Sequence, residues 1–492
     1  MTVCLITPPS PFLLDERVFC SLGILKVAAC LEQAGHRVEM VDLSGIENFI
    51  ETITDHASQT GAIHFGITAT TPQLPAAIKI AEAIRQTKPT AKLILGGPHI
   101  TLVCAALKRE RKFGLHGRAT RAYAKLEEVF DVLVAGDGED AVFLAIAEDA
   151  PKHIDADNPS GGLFMNNDRL NQTPWPARHL IDLDSYHYTI EGEKALSLVG
   201  QLGCPFACGF CGGRESPMLR RIRMRTTENI VAEVVHLHDR YGAKGFMFYD
   251  DELNVSQAMV ALMDSLAQAQ RDRQTEFRMR GFIKSQLFTD QQAEAMYQAG
   301  FRWILVGFES GSPRILENIN KKATREENTR CMEIARRHGL KVKALMSMGH
   351  PGESEQTVNE SRDWLLDVKP DDFDMTVITT YPGTPYFDWA IETQPGIWTY
   401  TCAKGGDKLH AYDVEFSRDA AFYKGAQGEY QSYVYTDHLS APDLVRMRDA
   451  IERDVRALLG IPFNQSAAAL RYEHSMGQSG RLPNFILKTS QL

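Results

Sequence analysis

Short apolar runs alternate with amphipathic helical patterns through most of this chain, in two separate series, and that alternation restricts it to α/β architectures built on parallel sheets. In the first series, VCLIT (3–7) reads as a buried strand and LGILKVAACLEQAG (22–35) as a helix ending at a glycine. VEMVDL (38–43), IHFGIT (63–68), KLILGG (92–97) and DVLVAG (131–136) supply further strands, with a helix near 73–87. Strands this continuously apolar need helices on both faces, so residues 1–150 are expected to form a doubly wound, Rossmann-like parallel sheet. Such sheets bind ligands beyond the carboxyl ends of their strands. Here the strands end in ITPPS (6–10), ITATT (67–71), GGPHIT (96–101) and GDGED (136–140). Small residues let a large ligand approach the backbone. Pro8, Gly96, Gly97, His99, Gly136, Gly138 and Glu139 are therefore candidate cleft residues. The competing reading is that these glycines only make tight turns.

Residues 151–195 are polar and contain DNPSGG and TPWPAR, the composition of a linker or strap. The second series begins at 196. Its strands are LSLVGQLG (196–203), GFMFYD (245–250), FRMRGF (277–282), RWILVGFES (302–310), KVKALMSMG (341–349) and DMTVITTYP (374–382). Helices are expected near 226–241, 255–273, 286–299, 312–338 and 353–368. Six strands and five helices predict a partial (β/α)6 barrel over 196–390, with its chemistry at the carboxyl ends of the strands. Residues 391–492 are expected to be small and mostly helical. They combine a stretch rich in tyrosine, glycine and charge (396–435), an amphipathic helix (441–460) and a loosely held tail from about 464.

Composition removes whole classes of function. A net charge of −10 over 492 residues argues against nucleic acid as the main partner. No apolar run approaches the ~18 residues of a membrane span. The opening MTVCLITPPSPF lacks a charged n-region, so a cytoplasmic chain is expected. Nine cysteines in so long a chain are not a disulfide framework. Only Cys204, Cys208 and Cys211 crowd together, in GCPFACGFCGG (203–213), directly after the first barrel strand. Structural zinc would want a second pair of ligands, and a redox CxxC would leave Cys204 without a role. A complete [4Fe–4S] site takes four cysteines, so three would leave one iron open to an external ligand.

This loop resembles the cysteine motif of the radical S-adenosylmethionine (SAM) superfamily, and the barrel agrees with it over about 197–390. The resemblance implies that the amino and carboxyl groups of SAM chelate the open iron of a [4Fe–4S] cluster. Reduction of the cluster then breaks a carbon–sulfur bond, usually giving a 5′-deoxyadenosyl radical. Phe210 occupies the position that flanks adenine in relatives. FYDDELN (248–254) resembles the acidic strand end that meets the methionine amino group, with Asp250 and Asp251 favoured over Glu252. Arg280 is the candidate partner of the methionine carboxylate, by a bidentate guanidinium fork. VGFESGSPRILENINKK (306–322) resembles the fourth-strand signature, placing Glu309 and Ser310 near ribose and methionine. MGHPGES (348–354) and YPGTPYF (381–387) resemble the fifth- and sixth-strand turns.

Residues 1–145 resemble the cobalamin-binding domain that precedes the barrel in one branch of the superfamily. The carrying residues are TPPS (7–10), SLGILKVAACLEQAGHRVEMVDL (21–43), LILGGPHIT (93–101) and DVLVAGDGED (131–140). By this resemblance Ser21, Leu22 and Gly23 join the candidate cleft residues. No Asp-x-His-x-x-Gly loop for a lower cobalt ligand is present. ALKRERKFGLHGRATRAYAK (106–125) lengthens this domain relative to the family. Two readings are open for it: a solvated helix, or a cover over the cleft that meets an anionic ligand. The resemblance implies cobalamin-dependent methylation or alkylation of a small molecule, with an external electron donor such as flavodoxin or ferredoxin. Transfer of the 3-amino-3-carboxypropyl group without cobalamin, as in arsinothricin-type carbon–arsenic bond formation, is the alternative, with rearrangement or cyclisation also open.

Overall fold

The apolar runs of the first series become the strands of a seven-stranded sheet in a computed structural model that describes residues 1–10, 16–420, 431–462 and 482–490. These strands are β1 (Thr2–Thr7), β2 (Arg37–Asp42), β3 (His64–Thr68), β4 (Lys92–Gly96), β5 (Val132–Gly136) and β6 (His153–Ala156). All six run parallel, in the spatial order β2-β1-β3-β4-β5-β6. Helices α1 (Leu22–Gln33), α2 (Phe49–Gln59), α3 (Leu74–Thr87), α4 (Pro98–Lys112), α5 (Arg118–Val129) and α6 (Gly138–Ala145) cover both faces. β1 lies between β2 and β3, so the order reverses there, and a crevice opens at the carboxyl ends of such a switch point.

The second series forms a curled sheet of parallel strands: β7 (Glu193–Leu198), β8 (Gly245–Phe248), β9 (Arg278–Ile283), β10 (Phe301–Glu309), β11 (Lys341–Met348) and β12 (Asp372–Val377). A short antiparallel strand, Thr189–Ile190, completes the β7 edge. Helices α7 (Thr227–Tyr241), α8 (Met259–Arg273), α9 (Asp290–Gln298), α10 (Pro313–Asn318), α11 (Arg325–Arg337) and α12 (Glu355–Val368) follow successive strands. The single helix expected over 312–338 is divided. Asn320 and Lys322 both adopt positive φ, which ends α10, and the Thr324–Glu327 capping box starts α11 afresh.

The polar linker is more ordered than its composition suggests. Residues 153–156 are β6, the sheet edge, and Ala177, Leu180, Ile181, Leu183 and Tyr186 join one hydrophobic core shared by α1, α6 and the barrel. Arg17 is fully buried and donates to Asp42, to the Ser44 carbonyl and to Ser185 Oγ, tying the linker to β2.

The C-terminal region differs from the mostly helical expectation. It carries a four-stranded antiparallel meander, β13 (Ile391–Gln394), β14 (Ile397–Thr401), β15 (Lys408–Tyr412) and β16 (Val434–Thr436), before the expected helix α13 (Ala441–Leu459). Tyrosine and threonine at alternate positions suit a half-buried ladder, which a reading of composition alone misses. The tail is also corrected in part. Residues 463–481 lie outside the described residues, but β17 (Leu487–Thr489) pairs antiparallel with β2 as the seventh strand of the first sheet. Among the described residues no helix is long and apolar enough to cross a membrane.

Candidate active site

The three clustered cysteines leave β7 on a loop whose backbone is pinned from several sides. Gly203, at φ 86°, donates its N–H to Asp251 Oδ2 at 2.9 Å. Cys204 N–H reaches the Leu219 carbonyl at 3.0 Å, Gly209 N–H reaches Ile319 at 2.8 Å, and Gly213 N–H reaches Gly383 at 2.8 Å. Gly209 is needed for space, since a Cβ there would stand 2.5 Å from the Tyr386 ring. Asn320 Nδ2 donates to the Ala207 carbonyl at 2.9 Å. All nine cysteines are free thiols. Desolvation raises both the Cys204 and the Cys211 thiol.

The loop fits a cluster better than a single ion. Among the described residues the cysteine trio is not a set whose ligand atoms all lie within 4.8 Å of one another. Ligands of one ion must converge on a point, whereas cluster thiolates each hold a separate iron.

Around this loop the barrel's strand ends place a buried charged ring. Asp250 Oδ1 accepts from Gly200 N–H at 2.7 Å, and burial raises that carboxyl to about 7. Asp250 and Asp251 thus serve the backbone of the turn and loop. Glu252 is different, because its Oε2 is buried without a hydrogen-bond partner. Burial pushes it up to about 6, against the pull of Lys321 and Lys284. FYDDELN therefore presents Glu252 Oε2 as a buried oxygen without a partner, beside the two aspartates the sequence favoured, each of which gives one oxygen to a backbone N–H.

Glu309 ends β10 at φ 66°. Its Oε1 meets Lys321 Nζ at 3.0 Å and its Oε2 accepts from Ser347 Oγ at 2.8 Å. Burial pushes the Glu309 carboxyl up, but Lys321 outweighs that and holds it below the usual range. Ser347 Oγ also meets His350 Nε2 at 2.8 Å, while His350 Nδ1 is buried without a partner. Burial lowers His350 to about 4, so it is neutral near pH 7. Its ring lies edge-on to Phe210, with centroids 5.3 Å apart. Ser310 turns away from the mouth and bonds Ser361 Oγ at 2.9 Å.

Arg280 lies partway along β9, where a guanidinium proton bonds the Tyr188 hydroxyl, its Cζ sits 5.8 Å from the Trp303 ring centre, and its Nε is buried without a partner. Lys284, one residue past β9, is the cation nearer the loop. It donates to the Lys321 carbonyl at 3.1 Å and sits 4.0 Å from the centre of the Phe206 ring. Sequence reasoning missed Lys284, Lys321 and His350. The KK of ENINKK was in view, but nothing in its spacing showed which lysine turns inward.

The strand ends of the first sheet face the same loop. Arg223 of the segment after the cysteines bonds Asp137 at 2.6 Å, and Asp157 accepts from Ser216 Oγ at 2.9 Å and Met218 N–H at 2.7 Å. On α4, Leu102 lies 3.0 Å from where a Gly212 Cβ would stand. Gly97 (φ 94°) and Gly136 (φ 97°) make turns no side chain would fit, since added Cβ atoms would meet Thr68 and Asp157. Gly23 and Gly96, in contrast, border open space, with nothing within 4 Å of an added Cβ. Gly138 packs near Val27, and Pro8 accepts through its carbonyl from Gln73 Nε2 at 2.9 Å. Ser21 is the N-cap residue of α1 and makes no side-chain cap bond; Leu22 follows it as the first residue of the helix. Burial raises the Glu139 carboxyl. His99 lies in the first turn of helix α4 and is 1% exposed; its Nδ1 meets Thr71 Oγ1 at 3.1 Å, and burial lowers it to about 4. Gly23 and Gly96 thus leave the backbone accessible at the heads of α1 and of the turn after β4.

The basic stretch 106–125 is helical and partly solvated, as one of the two readings has it, with residues 111–116 exposed. It is the end of α4 and the start of α5, and it docks the C-terminal region. Arg109 donates to the Asp388 carbonyl, and Arg118 donates to the Phe387 carbonyl at 2.7 Å while its Cζ lies 3.7 and 4.1 Å from the ring centres of Phe387 and Trp398. Arg121 pairs with Asp413 and Lys125 with Glu415. Glu110 caps α5 by accepting from the N–H groups of Gly117, Ala119 and Thr120.

Comparison with known proteins agrees with both halves of this geometry. Residues 198–365 match the radical SAM superfamily and residues 17–127 match the B12 binding domain. An uncharacterized methyltransferase of Pyrococcus horikoshii is 25% identical over 80% of this chain and 83% of its own length. The hopanoid C-3 methylase of Methylococcus capsulatus is 22% identical over 78% and 72%. An anaerobic magnesium-protoporphyrin IX monomethyl ester cyclase of Cereibacter sphaeroides is 24% identical, and the chain spans 58% of its length. Among solved structures, the radical SAM methyltransferase TsrM from Kitasatospora setae, with cobalamin and a [4Fe-4S] cluster bound, has a TM-score of 0.64 at 18% identity, covering 93% of this chain and 90% of that one. The cobalamin-dependent enzyme OxsB has a TM-score of 0.56 at 14% identity, covering 79% and 54%. With its cysteine loop inside one matched segment and Gly23, Gly96 and Gly97 inside the other, the chain is an enzyme that carries a radical SAM domain and, ahead of it, a B12-binding domain.

Proposed function

We propose that this enzyme transfers a methyl or related alkyl group to a small molecule, using a [4Fe–4S] cluster, SAM and cobalamin, with division of the chain at about 150, 195 and 390. One observation carries the reading: a loop of three free thiols stands beside barrel strand ends where Glu252 Oε2 and His350 Nδ1 are buried without partners, and it packs on the strand ends of the first sheet. The bound cofactors supply the electron, the sulfonium to be cleaved and the carrier of the transferred group. Cys204, Cys208 and Cys211 would hold three irons. Glu252 offers its free oxygen to the methionine ammonium, and Lys284 and Lys321 supply positive charge for the carboxylate. His350 Nδ1 is positioned to bond the nucleoside while Phe210 stacks nearby. Gly23 and Gly96 leave room for the corrin face. Burial of these polar groups excludes water and strengthens each polar contact.

The cluster's reductant is proposed to be an external acidic one-electron carrier such as flavodoxin or ferredoxin. A groove of about 550 Å³ backs the cysteine loop, lined by Ala207, Gly209, Arg214, Lys322, Arg325 and Lys404. The free thiols suit a reducing, cytoplasmic setting. The test is anaerobic purification with hydroxocobalamin supplied, then product analysis with SAM and reductant. Methyl transfer predicts both 5′-deoxyadenosine and S-adenosylhomocysteine. Methylthioadenosine instead would assign 3-amino-3-carboxypropyl transfer, and release of no SAM-derived product would remove the enzymatic reading.

A further inference from the structure

We propose that the N-terminal sheet holds a divalent metal ion, of zinc-like preference, on Cys4, Glu39 and His56, a site separate from the cysteine loop and independent of the proposed reaction. Cys4 is on β1, and Glu39 is its register partner on β2, so their side chains rise from the same face of the sheet side by side. His56 comes down from α2 onto that face. Their exposures are 0%, 9% and 6%. The three donor atoms all lie within 4.8 Å of one another. His56 Nε2 stands 3.6 Å from Cys4 Sγ and 3.1 Å from Glu39 Oε2.

Protons alone satisfy this arrangement poorly. A single ring nitrogen faces both a thiol and a carboxylate. If Nε2 carries a proton it donates to Glu39, and the thiol is left with no acceptor at that nitrogen. If Nε2 is bare it can accept from the thiol, but then meets the carboxylate lone pair to lone pair. A cation among the three removes the conflict. With zinc bonds of about 2.3 Å to sulfur and about 2.0–2.2 Å to nitrogen and oxygen, tetrahedral edges come to about 3.6 Å for S–N and about 3.4 Å for N–O. The observed 3.6 and 3.1 Å are close to both.

The charges also balance. A thiolate, a carboxylate and a neutral imidazole around a divalent ion sum to zero, which a buried site requires. Binding displaces one proton, from the Cys4 thiol to solvent. Thr60 Oγ1 donates to Glu39 Oε2 at 2.6 Å and so orients the carboxylate from outside, and the fourth position would fall to a water. A thiolate, imidazole and carboxylate set prefers zinc over calcium or magnesium. The ion would clamp α2 onto β1 and β2, on the sheet that carries the B12-binding match.

The experiment is zinc and iron analysis of the full chain, purified anaerobically from zinc-supplemented cells. The expected result is one zinc per chain in addition to the cluster iron. Cys4→Ser/His56→Gln should lose that zinc and keep its iron, whereas alanine at 204, 208 and 211 should lose the iron and keep the zinc. Should Cys4→Ser/His56→Gln fail to fold, the variant lacking the three loop cysteines, loaded with cobalt(II), decides instead: a thiolate-to-cobalt charge-transfer band is expected. A wild-type chain free of zinc, zinc retained without Cys4 and His56, or cobalt without a thiolate band would each overturn the proposal. Absence of iron at the loop would count against the cluster reading and leave the zinc result standing.

Discussion

The two sets of strand ends that meet across the cysteine loop are built on opposite principles. The barrel mouth is a ring of charge: Glu252, Lys284, Glu309 and Lys321, with Ser347 and His350 behind them. The first sheet spends the charge at its edge on holding the loop, Asp137 on Arg223 and Asp157 on Ser216 and Met218, and otherwise offers turns at Gly97 and Gly136 and open space at Gly23 and Gly96. A zwitterionic amino acid is recognised by placed charges, which are strong where water is excluded. A large macrocycle needs area and clearance, which small residues give. The contrast teaches that the barrel side should respond to single-atom changes and the sheet side to changes of volume.

The first way to break this comparison is Cys208→Ala. Loss of one of three iron ligands should abolish cluster assembly and all SAM cleavage, read by iron content and by 5′-deoxyadenosine release, while cobalamin uptake by the first sheet persists. Loss of corrinoid together with iron would show that the two halves are not separable.

Next in size is Glu252→Gln. It removes a charge-assisted bond worth about 1.5–3 kcal/mol, so SAM should bind roughly ten- to a hundredfold more weakly in a calorimetric or equilibrium-dialysis titration. Asp250→Asn should instead lower the melting temperature, because that side chain holds Gly200 rather than a ligand. Reversed outcomes would return the ammonium to the aspartates. The same residue sets a pH dependence. Burial raises Glu252 to about 6, so its ionised form, and with it SAM affinity, should fall as pH drops through about 6. The linked stability runs the other way: a raised folded pKa contributes stability fully present below the unfolded value near 4.5 and lost as pH rises through about 6. Glu252→Gln should flatten both profiles.

On the sheet side, Gly23→Leu should reduce corrinoid bound per chain with a stability change within about 0.5 kcal/mol, since it meets no protein atom. Gly97→Ala should cost about 1–3 kcal/mol through its positive φ and its clash with Thr68, read as a lower melting temperature. A last substitution, away from both strand-end sets, sharpens the role of the basic stretch. Arg118→Ala removes a guanidinium held against two aromatic rings and should cost on the order of 2 kcal/mol, with no change in anion or SAM affinity.

Much of this molecule was legible before any coordinates. The hydrophobic period determined both parallel sheets, because a buried strand and an amphipathic helix leave different marks at each residue. The cysteine spacing determined the cluster loop and its position after β7, since three ligands within eight residues are a local property. What the chain alone did not decide were the relations set by burial. FYDDELN does not say which of three carboxylates is spent on Gly200 and Gly203 and which oxygen is left over, because that depends on the turn folding back over the strand ends. Arg280 and Lys284 are both cations near the end of one strand, and only the curl of the sheet sets one against Tyr188 and the other beside Phe206. The basic run 106–125 carries no sign of Phe387 or Trp398, more than 250 residues distant. Cys4, Glu39 and His56 likewise show no motif, because parallel register and helix packing bring them together. Periodicity and short-range spacing are written along the chain, whereas charge compensation in a low-dielectric interior depends on who the neighbours are, and only the tertiary fold chooses them.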